Sequence, residues 1–158
     1  MRGRQTVPPV VRPAQPGDLD SILALDRATP QAPHWSTEDY QRIVSGKRPE
    51  GPERIMLVAG PSGELAGFVV LLLVADIAEI ESIVVAEPWW RRGTGASLME
   101  VAMQHCRDHE VARLILEVRG NNQGAIAFYT RCGFKIEGRR PGYYSHPVED
   151  ALLMGQDL

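Results

Sequence analysis

The pattern of this sequence predicts an α/β fold, a three-layer α/β/α sandwich with a central mixed, mostly antiparallel sheet. Three observations predict it. Runs rich in β-branched and aliphatic residues alternate along the chain with stretches of helical period. Two of these runs, residues 55–59 and 65–74, flank the turn cluster Gly60-Pro61-Ser62-Gly63-Glu64 and read as an antiparallel hairpin. A third, residues 77–85, leads through a turn into a glycine-rich helix start at Gly93.

In chain order, residues 10–12 read as a short first strand after a proline-rich stretch. Asp18 is placed to cap a helix whose Leu19, Ile22, Leu23 and Leu25 recur at helical spacing. Ser36-Thr37-Glu38-Asp39 has the form of a capping box for a second helix, which Gly46 ends together with Pro49 and Pro52. Beyond the strand at 77–85, residues 93–109 carry Leu98, Val101, Ala102, His105 and Cys106 along one side, a stripe suited to packing on a sheet. A strand at 114–118, a helix over 122–132 with Gly133 at its C′ position, and strands at 134–137 and 151–154 finish the sheet. Residues 10–158 are expected to form one domain, with residues 1–9 a flexible lead-in.

Composition narrows the function classes. Of 158 residues, 44% are hydrophobic and 23% charged, ordinary globular usage that excludes a wholly disordered or fibrous chain. The longest apolar run, residues 65–75, stops short of the ~20 residues of a membrane span. Residues 1–9 lack the apolar segment of a signal peptide, so a cytoplasmic protein without a membrane partner is expected. A net charge of −3 gives no reason to expect a nucleic-acid partner, which calls for clustered Lys and Arg. Cys106 and Cys132 form no CxxC pair and have no histidine at ligand spacing; they read as core thiols, with no metal site. The oligomeric state stays open.

The most informative stretch is Ile83-Val84-Val85-Ala86-Glu87-Pro88-Trp89-Trp90-Arg91-Arg92-Gly93-Thr94-Gly95-Ala96, a strand, a turn and a helix start. Glycines let the backbone approach a ligand closely, and the first N–H groups of a helix favour an anion such as a pyrophosphate. No Gly-Lys-Ser or Gly-Lys-Thr follows, which excludes a Walker A loop, and Leu98 stands where a dinucleotide fingerprint has a small residue. The competing explanation is a glycine pair that serves only tight helix–sheet packing.

These elements together resemble the GNAT acetyltransferase superfamily, whose cofactor signature runs Gln or Arg, two residues, Gly, one residue, then Gly or Ala. Gly93 and Gly95 match it, and Trp90 occupies the first position. Within the superfamily the chain is similar to the RimI type, bacterial enzymes that acetylate the N-terminal alanine of a ribosomal protein. Trp35-Ser36, Leu116-Glu117-Val118-Arg119, Asn122 with Ala125-Ile126-Ala127-Phe128-Tyr129, Gly133-Phe134, Tyr143-Tyr144 and Glu149-Asp150-Ala151 fall in the RimI order over residues 10–158. The resemblance implies acetyl-CoA as donor and an N-terminal amine of a protein as acceptor. It implies that the backbone of Ile83, Val84 and Val85 holds the pantetheine arm and acetyl carbonyl, that Arg91, Arg92, Gly93, Thr94, Gly95 and Ala96 hold the pyrophosphate, and that Asn122 also binds pantetheine. Glu117 matches the family's general base and Tyr129 its general acid.

The chemistry agrees with that division of labour. An α-ammonium, of reference pKa about 7.7–8.0, must lose a proton before its nitrogen attacks a thioester. Strand alternation puts Glu117 on one face with Ile115 and Arg119, where it takes the proton directly or through water, or else serves as half of a salt bridge to Arg119. Glu79 and Glu81 are rival bases, on a face shared with Ile83 by the same alternation. A phenol, protonated at neutral pH, suits Tyr129 to protonate the leaving thiolate; the alternative is a plain amphipathic-helix position. Neither cysteine has a neighbouring base in sequence, so direct transfer in a ternary complex is expected over an acetyl-cysteine route. The polar, aromatic, turn-rich segment 139–147, with Tyr143 and Tyr144, reads as a loop walling an acceptor site, and Trp35 as the opposite wall. Two other functions fit the same residues: acetylation of a small-molecule amine or lysine, and a non-enzymatic acyl-CoA sensor.

Overall fold

The computed structural model describes residues 9–46, 51–61 and 63–158, so nearly all of the expected lead-in, Pro49 and Ser62 lie outside the described residues. The strands are β1 (Val11–Pro13), β2 (Glu53–Ala59), β3 (Gly67–Val74), β4 (Ile77–Val85), β5 (Arg113–Arg119), β6 (Lys135–Ser145) and β7 (Val148–Asp157). The helices are α1 (Leu19–Ala28), α2 (Thr37–Val44), α3 (Thr94–Asp108) and α4 (Gln123–Arg131). The strands form one sheet in the order β1-β2-β3-β4-β5-β7-β6, antiparallel throughout except between β4 and β5.

Each face of the sheet has its own apolar layer. Ile22, Tyr40 and Val44 from α1 and α2 pack with Met56, Val58, Phe68, Val70 and Val84 on one face. Leu98, Met99, Ala102 and Cys106 from α3 pack with Leu57, Val69, Leu71, Leu114 and Leu116 on the other, where Phe128 and Tyr129 of α4 join them. Of the stripe read from α3, Leu98, Ala102 and Cys106 are buried and Val101 and His105 are half-buried, with Met99 added to the buried side. Ser36 caps α2 as its spacing predicts: its Oγ accepts from Asp39 N at 3.1 Å and donates to Asp39 Oδ2 at 2.7 Å. Gly46 and Gly133 close α2 and α4 with φ of 66° and 98°, a region open to glycine because it has no Cβ.

Three expectations need correction. Asp18 makes no side-chain cap on α1. Its carboxylate is buried and takes both arms of the Arg12 guanidinium at 2.8 Å, closing a 3-10 turn through Gln15 N. The segment 139–145 is strand and not loop: β6 and β7 pair as far as Ser145↔Val148. Pro141 and Gly142 are tolerated because β6 is an edge strand and both fall within a register shift between Arg140 and Tyr144, where no ladder bond is required of them.

The third concerns β4. Val70 pairs with Ser82 and Leu71 with Ile80, so Glu81 is an extra, bulged residue. Ahead of the bulge Ala78 and Ile80 face α3; after it Ile83 and Val85 do, while Val84 turns to the α1/α2 layer. Glu79 and Glu81 consequently lie on the face opposite Ile83, because the bulge resets the alternation that placed them together.

At the end of α3, the His105 and His109 rings stack with centroids 4.1 Å apart, and His105 Nε2 is buried without a hydrogen-bond partner among the described residues. Burial first, and the charge of His109 second, lower the His105 pKa below its ordinary 6.5. The unfolded chain then takes up a proton at a higher pH than the folded one, so stability is expected to fall as pH drops below about 6.5. Thermal midpoints measured from pH 7.5 to 5.5 should decline more steeply for the native chain than for His105→Leu; equal slopes would contradict this.

Candidate active site

The site is a gap in the sheet. β4 and β5 pair only at Ile77↔Arg113, Ala78↔Leu114 and Glu79↔Ile115. Past that point β4 keeps β3 alone and β5 keeps β7 alone, so the two parallel strands splay apart toward Val85 and Arg119. Ala86 N donates to Ala66 O at 2.8 Å, and the trans peptide then aims the Val85 carbonyl away from β3, into the opening. Ladder alternation turns the amide and carbonyl of Ile83 the same way, and Val84 toward β3.

At the mouth of the gap the chain turns into α3 with Arg91 at φ 57° and Gly93 at φ 79°. Gly93 is the N-cap residue of α3 and no side chain caps the helix, so its first N–H groups are open to an anion. Packing does not demand Gly95: an added Cβ would meet Phe128 at 3.4 Å, whereas the left-handed backbone demands Gly93. Trp90 Nε1 donates to the Val85 carbonyl at 2.8 Å, taking one acceptor at the strand end, and Arg92 sits 5.5 Å from the centroid of the Trp89 ring. Asn122 is the cap of α4, its Oδ1 accepting from Ala125 N at 3.2 Å.

The residues singled out in the sequence divide between the two faces of the gap. On the α1/α2 face stand Glu79, Glu81 and Glu117. Glu117 forms an ion pair with Arg140 at 3.3 Å and not with Arg119, which pairs with Glu149 at 3.3 Å and lies 4.0 Å over the Tyr144 ring. Glu81 takes a bidentate pair from Arg54, at 2.7 and 3.0 Å. Glu79 makes no hydrogen bond or ion pair with the described residues, and its pKa is raised, first by burial and then by the charges of Glu81 and Glu117. Trp35 packs on Tyr40, 5.6 Å between ring centroids, beside Arg54. Its loop is tied down by buried Asp26, which accepts from His34 N at 3.0 Å and Tyr40 Oη at 2.7 Å.

On the other face, Tyr129 packs 5.8 Å from Phe134, and burial pushes its phenol up to about 12. Tyr144 lies under the Arg119 guanidinium, and burial first, with the charge of Glu117 second, raises its pKa. Tyr143 stays exposed, with Arg140 5.5 Å from its ring. Sequence reasoning missed Arg54 and Asp26, and it named Arg140 only within the acceptor wall; no local pattern marks their partners, which are distant in the chain.

A splayed parallel pair beside an uncapped helix start on a glycine turn is the kind of site that receives an anionic, phosphate-bearing ligand. Residues 19–134 match the Acetyltransferase (GNAT) family, and the chain belongs to it: it is an acetyl-CoA-dependent N-acetyltransferase. The putative [ribosomal protein bS18]-alanine N-acetyltransferase of Bacillus subtilis is 29% identical over 137 residues, 87% of each chain. The crystal structure of the ribosomal-protein-S18-alanine N-acetyltransferase of Escherichia coli superposes with a TM-score of 0.77 at 27% identity, covering 94% of this chain and 92% of that one. Arabidopsis thaliana NAA60, solved in complex with acetyl-CoA, shares the fold, with a TM-score of 0.80 at 22% identity over 94% of this chain and 98% of its own.

Proposed function

We propose that this enzyme acetylates the N-terminal α-amine of a protein, an alanine-initiated ribosomal small-subunit protein such as the bS18 named for its relatives, by direct attack in a ternary complex in the cytoplasm. The observation that carries the reading is the gap itself, with carboxylates on one face and a protonated phenol on the other. An amine entering from the α1/α2 side meets a base, while the departing sulfur leaves toward Tyr129.

The donor supplies the thioester. The backbone of Ile83 and Val85 lines its path, their open amides being suited to a pantetheine arm and to the oxyanion of the tetrahedral intermediate, whereas the Val84 amide and carbonyl, expected to share that role, turn to β3. Arg91, Arg92, Gly93, Thr94, Gly95 and Ala96 offer backbone N–H groups and positive charge to a pyrophosphate. The Asn122 amide nitrogen remains for pantetheine, since only the oxygen is committed to the cap. Trp35, Tyr143 and Tyr144 wall the acceptor.

Glu117 takes the proton of the α-ammonium in this reading. A second reading gives that step to Glu79, which has no ion pair among the described residues and a raised pKa closer to that of the amine it would deprotonate. Tyr129, held near 12, stays protonated at any physiological pH. Because a phenol that weak is a poorer acid than a thiol, its first service is a hydrogen bond to the developing thiolate. Cys106 is buried with its thiol raised to about 11 and Cys132 is raised as well, which disfavours both as nucleophiles.

The test is release of coenzyme A from acetyl-CoA with a bS18-like alanine-initiated peptide, its N-terminally blocked form containing lysine, and a panel of small amines. Turnover confined to the free α-amine is expected. Turnover of only the blocked peptide or the small amines would overturn the acceptor assignment.

A further inference from the structure

Arg54 is bound on two sides, by the bulged Glu81 of β4 and by Trp35 of the acceptor wall. It stands on β2 in register with Leu72 of β3, which is in turn in register with Glu79 of β4, so the three lie in a row across the sheet. Met56 and Val58 of the same strand face the α1/α2 layer, and strand alternation puts Arg54 on that face with Glu79. Its guanidinium does not pair with Glu79. It reaches past it to the bulged residue, Nε to Glu81 Oε2 at 2.7 Å and an Nη to Oε1 at 3.0 Å, with its carbon 5.6 Å from the centroid of the Trp35 ring. A planar fork on a carboxylate leaves one flat face for an aromatic ring, which an ammonium group cannot reproduce.

We infer that Arg54 is a positioning residue for the acceptor: it fastens the bulge of β4 to the Trp35 wall and withdraws Glu81 from the carboxylates that meet the incoming amine. The inference rests on the acceptor face assigned above. Asp26 holds the Trp35 loop from beneath, through His34 and Tyr40, and Arg54 holds it from the cleft side. Without Arg54 the wall loses its cleft-side contact, and Glu81 joins Glu79 as a carboxylate with no ion pair among the described residues, beside the Arg140-paired Glu117. The groups facing Glu79 are Glu81, Glu117, Arg140 and Arg54, so a change in Arg54 or Glu81 alters its surroundings by one charge in opposite senses.

The experiment compares Arg54→Gln, Glu81→Gln and the double variant, on whichever amine the native enzyme turns over. Arg54→Gln is expected to raise the acceptor KM roughly ten-fold and to leave acetyl-CoA affinity, read by calorimetry, unchanged. It should also move the acid limb of kcat/KM to higher pH by about half a unit, since a lost positive charge makes a nearby carboxylate harder to ionise. Glu81→Gln should move the same limb to lower pH, and the double variant should return it toward the native position. Arg54→Lys should restore the limb but not the acceptor KM, because the fork and stack are lost. A merely structural arginine would not shift the two single variants in opposite directions. An unchanged acceptor KM and limb in Arg54→Gln, or an equal loss of acetyl-CoA affinity, overturns the inference. If Arg54→Gln does not fold, the direction of the Glu81→Gln limb decides. Failure of the native enzyme on every α-amine sinks the acceptor assignment instead, and is read from the native enzyme alone.

Discussion

Glu117→Gln is expected to lower kcat/KM for a free α-amine by about 10²- to 10⁴-fold near neutral pH, the range that a positioned general base contributes. Gln keeps the shape of Glu117, which now forms an ion pair with Arg140 at 3.3 Å, so the loss reports the proton acceptor and not the fold. Glu79→Gln separates the two bases. If Glu79 takes the proton, its variant suffers the larger loss and removes an acid limb lying above the ordinary carboxylate range, because the raised pKa means that activity disappears as pH falls through a higher value. If Glu117 takes it, Glu79→Gln keeps most of its activity. Comparable activity in both variants and the native enzyme would remove the carboxylate face from the mechanism. Tyr129→Phe belongs to the same series, with acetyl-CoA binding retained and kcat reduced.

Gly67→Ala is expected to damage both stability and donor binding. Gly67 pairs with Val85 at the splayed end of β4, and a Cβ there would collide with the Val84 carbonyl oxygen and come within 3.2 Å of Leu98 Cδ1. The obstacle is backbone, which a rotamer change cannot relieve, so β4 must move away from β3. Overpacking of this kind costs about 1–3 kcal/mol, and more when backbone has to shift. Urea unfolding should show the lowered midpoint, and calorimetry a weakened affinity for acetyl-CoA, because the displaced residues line the gap. A midpoint within error of the native protein would mean that the close approach at Gly67 is not needed.

The elements themselves were legible because their signals are local. Period-two runs marked β4 and β5, a helical stripe marked α3, Ser36 announced the start of α2, and glycine marked the turns before α3 and after α4, where the backbone is left-handed. The resemblance over residues 10–158 likewise singled out Glu117, Tyr129 and Tyr144 as candidates; Glu117 stands on β5 with Arg140 as its partner, and Tyr129 on α4 packs against Phe134. What a local pattern does not carry is register and partnership. The extra residue at Glu81 exists only relative to β3, and it reversed the expected face of Ile83. Arg140 reached Glu117 ahead of the nearer Arg119, and segment 139–145 became an edge strand, because β7 lies between β5 and β6 and carries their side chains together. The sequence alone thus determined the elements, the glycine turn and the candidate chemistry, since propensity and periodicity act among neighbours. The splay, the bulge and the choice of ion pairs were decided only by tertiary structure, because they depend on strands meeting across long stretches of chain.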